Sequence, residues 1–129
     1  CEIAAREYAE NKQRTDELKN LVMSLFDGSG LEYHINGDQN YCVSSTANIC
    51  IPGVMSEALM ISSKRYCSIS NGSACTSKSY APSYVLSAMG VPEDEIECSV
   101  RISWGPDTSS EELADNLKQL IETAKQIKR

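Results

Sequence analysis

One cysteine of this chain lies in a stretch made almost entirely of small and turn-forming residues. Cys75 stands within residues 70–82, where serine, alanine, asparagine, glycine and threonine predominate. Such residues favour turns, and a segment with few large apolar side chains gains little by burial, so we predict a surface loop. Lys78 follows three residues later, and a nearby ammonium favours the nucleophilic thiolate. Composition by itself favours an ordinary loop with an incidental free cysteine; an accessible, reactive thiol is the alternative.

Arg101 is the second residue whose type and position could do chemistry. Residues 99–104 alternate between apolar and polar side chains, which is typical of a strand with one buried face. The predicted buried face carries Val100, Ile102 and Trp104, and the other face carries Ser99, Arg101 and Ser103. A guanidinium on the polar face can bind a carboxylate through two parallel hydrogen bonds. A salt bridge to a neighbouring side chain is the alternative.

These segments resemble the NifS/IscS-type cysteine desulfurases, pyridoxal-phosphate (PLP) enzymes of the class V aminotransferase family with fold type I. The resemblance rests on Ser-Ala-Cys-Thr-Ser at 73–77, Pro-Ser-Tyr-Val-Leu at 82–86 and Met-Gly at 89–90. Asn-Gly-Asp at 36–38 and Ser-Val-Arg-Ile-Ser-Trp-Gly at 99–105 fit in the same order. Pro106 departs from the relatives, which often carry a basic residue there. The loop motif is highly specific, and the likeness runs over nearly the whole chain.

The resemblance implies that residues 1–129 are a single domain, the C-terminal small domain of an enzyme whose PLP-binding large domain is absent. Such an enzyme, a sulfurtransferase, takes sulfur from L-cysteine, releases L-alanine, and holds the sulfur as a persulfide on Cys75. Arg101 would bind the substrate carboxylate. The loop around the thiol would comprise Gly72, Ser73, Ala74, Thr76 and Ser77. The full-length protein would be a homodimer that passes sulfur to an acceptor protein, either a scaffold or a carrier. Iron–sulfur cluster assembly, tRNA thiolation and DNA phosphorothioation remain open as the pathway.

PLP catalysis needs a lysine that forms a Schiff base, an acidic partner and a phosphate site. In the resembled family the lysine directly follows a histidine, and this sequence contains no His-Lys pair. We therefore predict no cofactor-binding residue in this chain, and we expect the isolated fragment to be inactive. Two alternatives stay open: a stand-alone carrier of persulfide sulfur without PLP, and a structural domain in which Cys75 is inert.

Length, charge and hydropathy narrow the class of protein. A chain of 129 residues is the size of one domain. Its net charge of −6 and isoelectric point near 4.8 argue against direct binding of nucleic acid, which selects clustered basic residues. The sequence has no apolar run of about 20 residues and no signal segment, so we expect a cytoplasmic protein with no membrane partner. The chain starts without Met inside a helix-like pattern, which suggests a longer natural protein.

Cysteine and histidine usage predicts no metal site. The six cysteines, at positions 1, 42, 50, 67, 75 and 98, include no pair with C-x-x-C spacing. Cys50 and Cys67 fall in apolar runs, where we expect them to act as small buried hydrophobic residues. We expect reduced thiols throughout. His34 is the only histidine, and the resemblance makes it a surface strand residue, because the family's PLP-stacking histidine belongs to the other domain.

Hydrophobic periodicity predicts an α+β fold, a small mixed or antiparallel sheet covered by helices. A first helix of about 25 residues should end at Gly28 and Gly30. Strands are expected at 31–35, 47–52, 66–70 and 99–104, with helices after Pro52 and between Pro82 and Gly90. Val85, Leu86 and Met89 should form the buried face of the latter helix. A last helix should open at Thr108 or Ser109 and bury a stripe of leucine and isoleucine.

Overall fold

The computed structural model describes residues 1–71 and 82–128. Along these residues the chain forms α1 (Glu2–Asp27), β1 (His34–Ile35), β2 (Thr46–Cys50), α2 (Ser56–Ser63), α3 (Tyr84–Ala88), α4 (Glu93–Glu97), β3 (Ser99–Ser103) and α5 (Ser110–Ile127). No helix in these ranges has the length and apolar character of a bilayer span.

The described strands form one antiparallel sheet in the order β1-β2-β3. In its register His34 lies opposite Cys50, Cys50 opposite Ser99, and Asn48 opposite Arg101. Residues directly opposite each other point to the same face of a sheet. The prediction of an α+β fold is confirmed, and the sheet is the antiparallel one of the two kinds expected.

The apolar face of this sheet meets the helices. Ile49, Val100 and Ile102 are each at most 5% exposed, and they belong to one core cluster with residues of α1, α2 and α5. α5 packs against both α1 and α2. It begins as the capping pattern predicted, because the Ser109 hydroxyl accepts a hydrogen bond from the Glu112 amide at 3.3 Å. The apolar residues in the alternating pattern of β3 therefore lie on the face of the sheet that the core covers.

The first helix has 26 residues, as its periodicity predicted, but only its second half is packed. Leu18, Val22 and Phe26 are buried, whereas Ile3 and Tyr8 are more than 60% exposed. The helix end also differs from expectation. Gly28 has a right-handed φ of −76°, and the left-handed position is taken by Gly30 at φ 71°.

Some local expectations were wrong in extent, and one short helix was not expected. The strand expected over residues 31–35 covers only His34–Ile35. The strand predicted over residues 66–70 is reduced to a single bridge at Ser70. In α3 only Leu86 is buried, and Val85 and Met89 are each half exposed. The short α4 was not predicted, because five residues with one apolar side chain give no periodic signal.

Candidate functional site

Arg101 lies on the polar face of the sheet, as the alternation of its strand predicted. Its neighbours Val100 and Ile102 are 1% and 5% exposed on the core side, whereas Arg101 itself is exposed. Asn48 of β2 is its directly opposite residue. In the described ranges no carboxylate lies within ion-pair distance of the guanidinium, so the internal salt bridge considered as the alternative is not formed there.

The backbone of Arg101 pairs with Ser70, which precedes the cysteine segment. The Ser70 amide donates to the Arg101 carbonyl oxygen at 3.1 Å, and the Arg101 amide donates to the Ser70 carbonyl oxygen at 2.6 Å. This antiparallel bridge lies on the side of β3 that faces away from β2. The chain is therefore fixed beside Arg101 two residues before Gly72.

A hydrogen-bond network orders the polar face next to Arg101. The Asn36 amide nitrogen donates to the Asn48 side-chain oxygen at 2.8 Å and to the Ser99 hydroxyl at 2.9 Å. The Ser99 hydroxyl in turn donates to the Glu95 carbonyl oxygen at 2.7 Å. The Asn48 side-chain oxygen accepts the bond from Asn36, so the NH₂ group of Asn48 points away from Asn36. The network ties β1, β2, β3 and α4 together on one face.

A hollow of about 140 Å³ opens beside this network. It is lined by Asn36, Gln39, Cys42, Val43, Thr46, Ala47, Asn48 and Arg101. Among these residues Arg101 alone carries a charge. The exposed thiol of Cys42 lies at the same hollow, and the Gln39 amide reaches its Sγ at 3.8 Å. A single cation among uncharged residues, some polar and some apolar, suits a small anionic group such as a carboxylate.

The other predicted site residues lie outside the described ranges. They are Cys75 and the loop residues Gly72, Ser73, Ala74, Thr76 and Ser77, together with Lys78. The chain is described again from Pro82. There the Ser83 hydroxyl caps α3 by accepting a hydrogen bond from the Leu86 amide at 3.4 Å. Of the predicted site, the structure therefore describes Arg101 and the residues on either side of the loop.

The described residues do not suit PLP by themselves. None of the lysines in the described ranges is buried. Lys12 pairs with Asp16 at 2.6 Å, and Lys125 pairs with Glu122 at 2.7 Å, each within one helix. A lysine that forms a Schiff base needs a sheltered place beside a phosphate site, and no described lysine lines the hollow at Arg101.

Sequence reasoning missed the roles of Asn36, Asn48 and Ser70. Asn48 carried a signal, since it is a polar residue between Ala47 and Ile49 in an otherwise apolar strand. Asn36 was assigned only to a turn. Ser70 could not have been found, because its pairing with Arg101 joins positions 31 residues apart in sequence.

His34 and Cys50 lie at the β1 end of the same polar face. The His34 Nε2 lies 3.0 Å from the Glu95 Oε2, with both side chains about 40% exposed. Cys50 is fully buried, as predicted, and burial raises the pKa of its thiol to about 11. Cys67 is only half buried, and burial again raises its pKa.

Comparison with known proteins finds relatives that align with nearly the whole chain. The cysteine desulfurase IscS of Anaeromyxobacter sp. (strain Fw109-5) is 34% identical over 129 residues, which are 99% of this chain and 31% of that protein. The cysteine desulfurase IscS of Photobacterium profundum is 37% identical over 119 residues, 92% of this chain and 29% of that protein. The chain is related to the NifS/IscS-type cysteine desulfurases. The resemblance read from the loop motif is thereby confirmed.

A search of solved structures finds the same fold in another protein. A solved structure titled NifS-like protein superposes with a TM-score of 0.77 at 24% identity, over 94% of this chain and 30% of that one. No protein-family model matches the chain. The chain spans about a third of the length of the curated relatives it matches.

Proposed function

We propose that this chain is the C-terminal domain of a PLP-dependent cysteine desulfurase. In this proposal Arg101 binds the carboxylate of L-cysteine, and Cys75 receives the sulfur as a persulfide while L-alanine is released. The observation that carries the proposal is the backbone pairing of Ser70 with Arg101, which fixes the approach to the cysteine segment beside the proposed carboxylate site.

Arg101 supports the proposal through its surroundings. It is exposed, faces a hollow whose other lining residues are uncharged, and has no carboxylate partner among the described side chains. A free carboxylate from a substrate would therefore meet an uncommitted guanidinium. The Asn48 amide, held by Asn36 at 2.8 Å, offers N–H donors on the same face. Two such groups suit a carboxylate better than either alone.

The covalent chain supports the role of Cys75. Cys75 comes five positions after Ser70, and a fully extended chain covers at most about 3.6 Å per residue, so the chain cannot separate their Cα atoms by more than about 18 Å. This distance allows one thiol to serve a substrate held at Arg101. Transfer to an acceptor protein then requires the outer sulfur to leave that place. We propose a scaffold or carrier protein as the acceptor.

The remaining machinery is assigned to a part of the protein outside these residues. When bound there, PLP would weaken the carbon–sulfur bond of the substrate. We propose that this part forms the large domain and the main homodimer contact, that the enzyme works in the cytoplasm, and that residues 1–129 alone are inactive. Cys75 and Arg101 would be this chain's contribution to the active site.

The deciding experiment maps the persulfide in the whole enzyme. The enzyme is incubated with L-cysteine, alkylated and digested, and each cysteine peptide is examined for the mass of one added sulfur atom. We expect that mass on the peptide with Cys75. Cys75→Ala should abolish sulfur transfer while the absorption spectrum of bound PLP stays unchanged.

Cys1→Ala is the matched control, because Cys1 is an exposed thiol that does not line the hollow at Arg101. It should leave sulfur transfer intact. An added sulfur on Cys42 or another residue, or on none, would overturn the assignment of Cys75. Persulfide formation in the absence of PLP would instead favour the stand-alone carrier.

A further inference from the structure

We propose that His34, Cys50 and Glu95 form a binding site for a zinc-class transition-metal ion on the polar face of the sheet. One nitrogen, one sulfur and one oxygen atom from these residues all lie within 4.8 Å of one another. The residues come from β1, β2 and α4, so the site exists only in the folded chain. The proposal does not depend on the desulfurase activity.

The sheet register brings the imidazole and the thiol together. His34 and Cys50 are directly opposite each other on the antiparallel strands β1 and β2, so their side chains share a face. The backbone hydrogen bond from Asn36 to Asn48, 2.9 Å long, continues this pairing and keeps β1 in register.

The third ligand is positioned by α4. The Ser99 hydroxyl donates to the Glu95 backbone carbonyl oxygen at 2.7 Å, which fastens this short helix over the end of the sheet. The Glu95 carboxylate then reaches the His34 ring, with its Oε2 3.0 Å from Nε2. In a tetrahedral zinc site with bonds of about 2.0–2.3 Å, ligand atoms lie about 3.3–3.8 Å apart. The cluster therefore needs shifts of about 1 Å or less to close on an ion.

The donor set selects the class of metal. A thiolate and an imidazole favour zinc and similar borderline ions, whereas calcium and magnesium prefer oxygen ligands alone. Three protein ligands leave the fourth position of a tetrahedral ion for water or for another donor. Since His34 and Glu95 are about 40% exposed, that position faces solvent, and the fully buried Cys50 supplies the sulfur on the inner side of the site.

Binding exchanges protons and changes no oxidation state. The Cys50 thiol releases its proton to solvent as the sulfur–metal bond forms. The imidazole binds as the neutral base through one nitrogen lone pair, and its remaining hydrogen sits on the other ring nitrogen. The hydrogen bond between His34 and Glu95 breaks, and both groups become ligands of the same ion.

Cobalt titration of the reduced, metal-free chain tests the site. Co²⁺ serves as the probe, because a thiolate ligand gives a near-ultraviolet charge-transfer band and a tetrahedral site gives intense visible bands. We expect saturable binding with both signals, and displacement of Co²⁺ by Zn²⁺. Cys50→Ser should remove the charge-transfer band, and Glu95→Gln and His34→Gln should each weaken binding at least tenfold.

Matched variants separate this site from other thiols and acids. Glu93→Gln changes an exposed carboxylate on the same helix, and Cys42→Ser and Cys75→Ser remove thiols outside the cluster. All three should bind Co²⁺ as the unchanged chain does. A charge-transfer band that survives Cys50→Ser, equal affinity in Glu95→Gln, or no saturable binding would each overturn the proposal. Glu95→Gln keeps the test valid if Cys50→Ser fails to fold.

Discussion

The two faces of the sheet differ in what their side chains have to do. On one face Ile49, Val100 and Ile102 are sealed under three helices, and their neighbours are apolar. On the other face Asn48 and Arg101 are joined to polar groups or left to solvent. Residues one position apart along the same strand therefore lie in different environments, one in the apolar core and one on the polar face, because side chains alternate between the two faces of a strand.

Residues that stabilise the fold and residues that could do chemistry therefore alternate along the same strands. The buried face contributes free energy of folding by removing apolar surface from water. The polar face contributes directed hydrogen bonds and the guanidinium of Arg101, which has no carboxylate partner among the described residues. Substitutions on the buried face should therefore change the free energy of unfolding, and substitution of Arg101 should change the binding of substrate.

The largest effect is expected on the buried face. Ile49→Ala should lower the free energy of unfolding by about 2–5 kcal/mol, because it removes a fully buried side chain and leaves a cavity. Urea denaturation of the chain measures this. Arg101→Ala, on the opposite face of the neighbouring strand, is the matched control and should change stability by less than about 0.5 kcal/mol. Equal losses in both variants would contradict the division.

Arg101→Ala should act on substrate instead. Losing hydrogen bonds from a charged group to a carboxylate costs about 1.5–3 kcal/mol, which corresponds to a rise of roughly 10–100-fold in the KM for L-cysteine in the whole enzyme. Steady-state kinetics measures it. Arg65→Ala changes an exposed arginine elsewhere and should leave KM unchanged. An unaltered KM in Arg101→Ala would remove the arginine from substrate binding.

Asn36→Ala should give a smaller loss that belongs to the polar face. It removes the donor to Asn48 and to Ser99, at 2.8 and 2.9 Å, and leaves partly buried acceptors unpaired. The expected loss is about 1–3 kcal/mol in the free energy of unfolding. Gln39→Ala, which changes an exposed amide nearby, should cost less. Thermal or urea unfolding that shows no difference between the two variants would argue against a stabilising network.

The smallest effect concerns a pH-sensitive group outside the polar face. Tyr33 packs on Phe26 and donates to the Asp27 carboxylate at 2.6 Å, and desolvation followed by this contact raises its pKa from 10.0 to about 12. The folded state therefore favours the protonated phenol. The resulting stability is present below pH 10 and is lost as the pH rises toward 12.

Tyr33→Phe isolates this contribution. The difference in unfolding free energy between the unchanged chain and the variant should shrink across that pH range. A difference that stays constant from pH 10 to pH 12 would show that Tyr33 does not titrate as described. Because both proteins share all other titrating groups, the comparison removes their common effect.

Local sequence patterns were sufficient for much of the fold. The spacing in the second half of α1, the period of α5 and the apolar positions of β3 predicted buried residues there, because those periods follow from backbone geometry. The same spacing was wrong for Ile3 and Tyr8 in the first half of α1, which are exposed. They failed where few residues carry the signal. Val85 and Met89 have helical spacing but are half exposed, since α3 has only five residues and its packing is decided by neighbours.

The class of fold, the polar position of Arg101 and the relation to the desulfurases could be predicted from the sequence, because each depends on short-range spacing or on a contiguous motif. The pairing of Ser70 with Arg101 and the hydrogen bonds of Asn36 to Asn48 and Ser99 depend on how the strands come together in the folded chain. The folded chain alone brings Cys50 to His34 and Glu95, although cysteine spacing had predicted no metal site. These contacts join residues 12 to 63 positions apart, and such pairs are set by strand order and register, which no local period records.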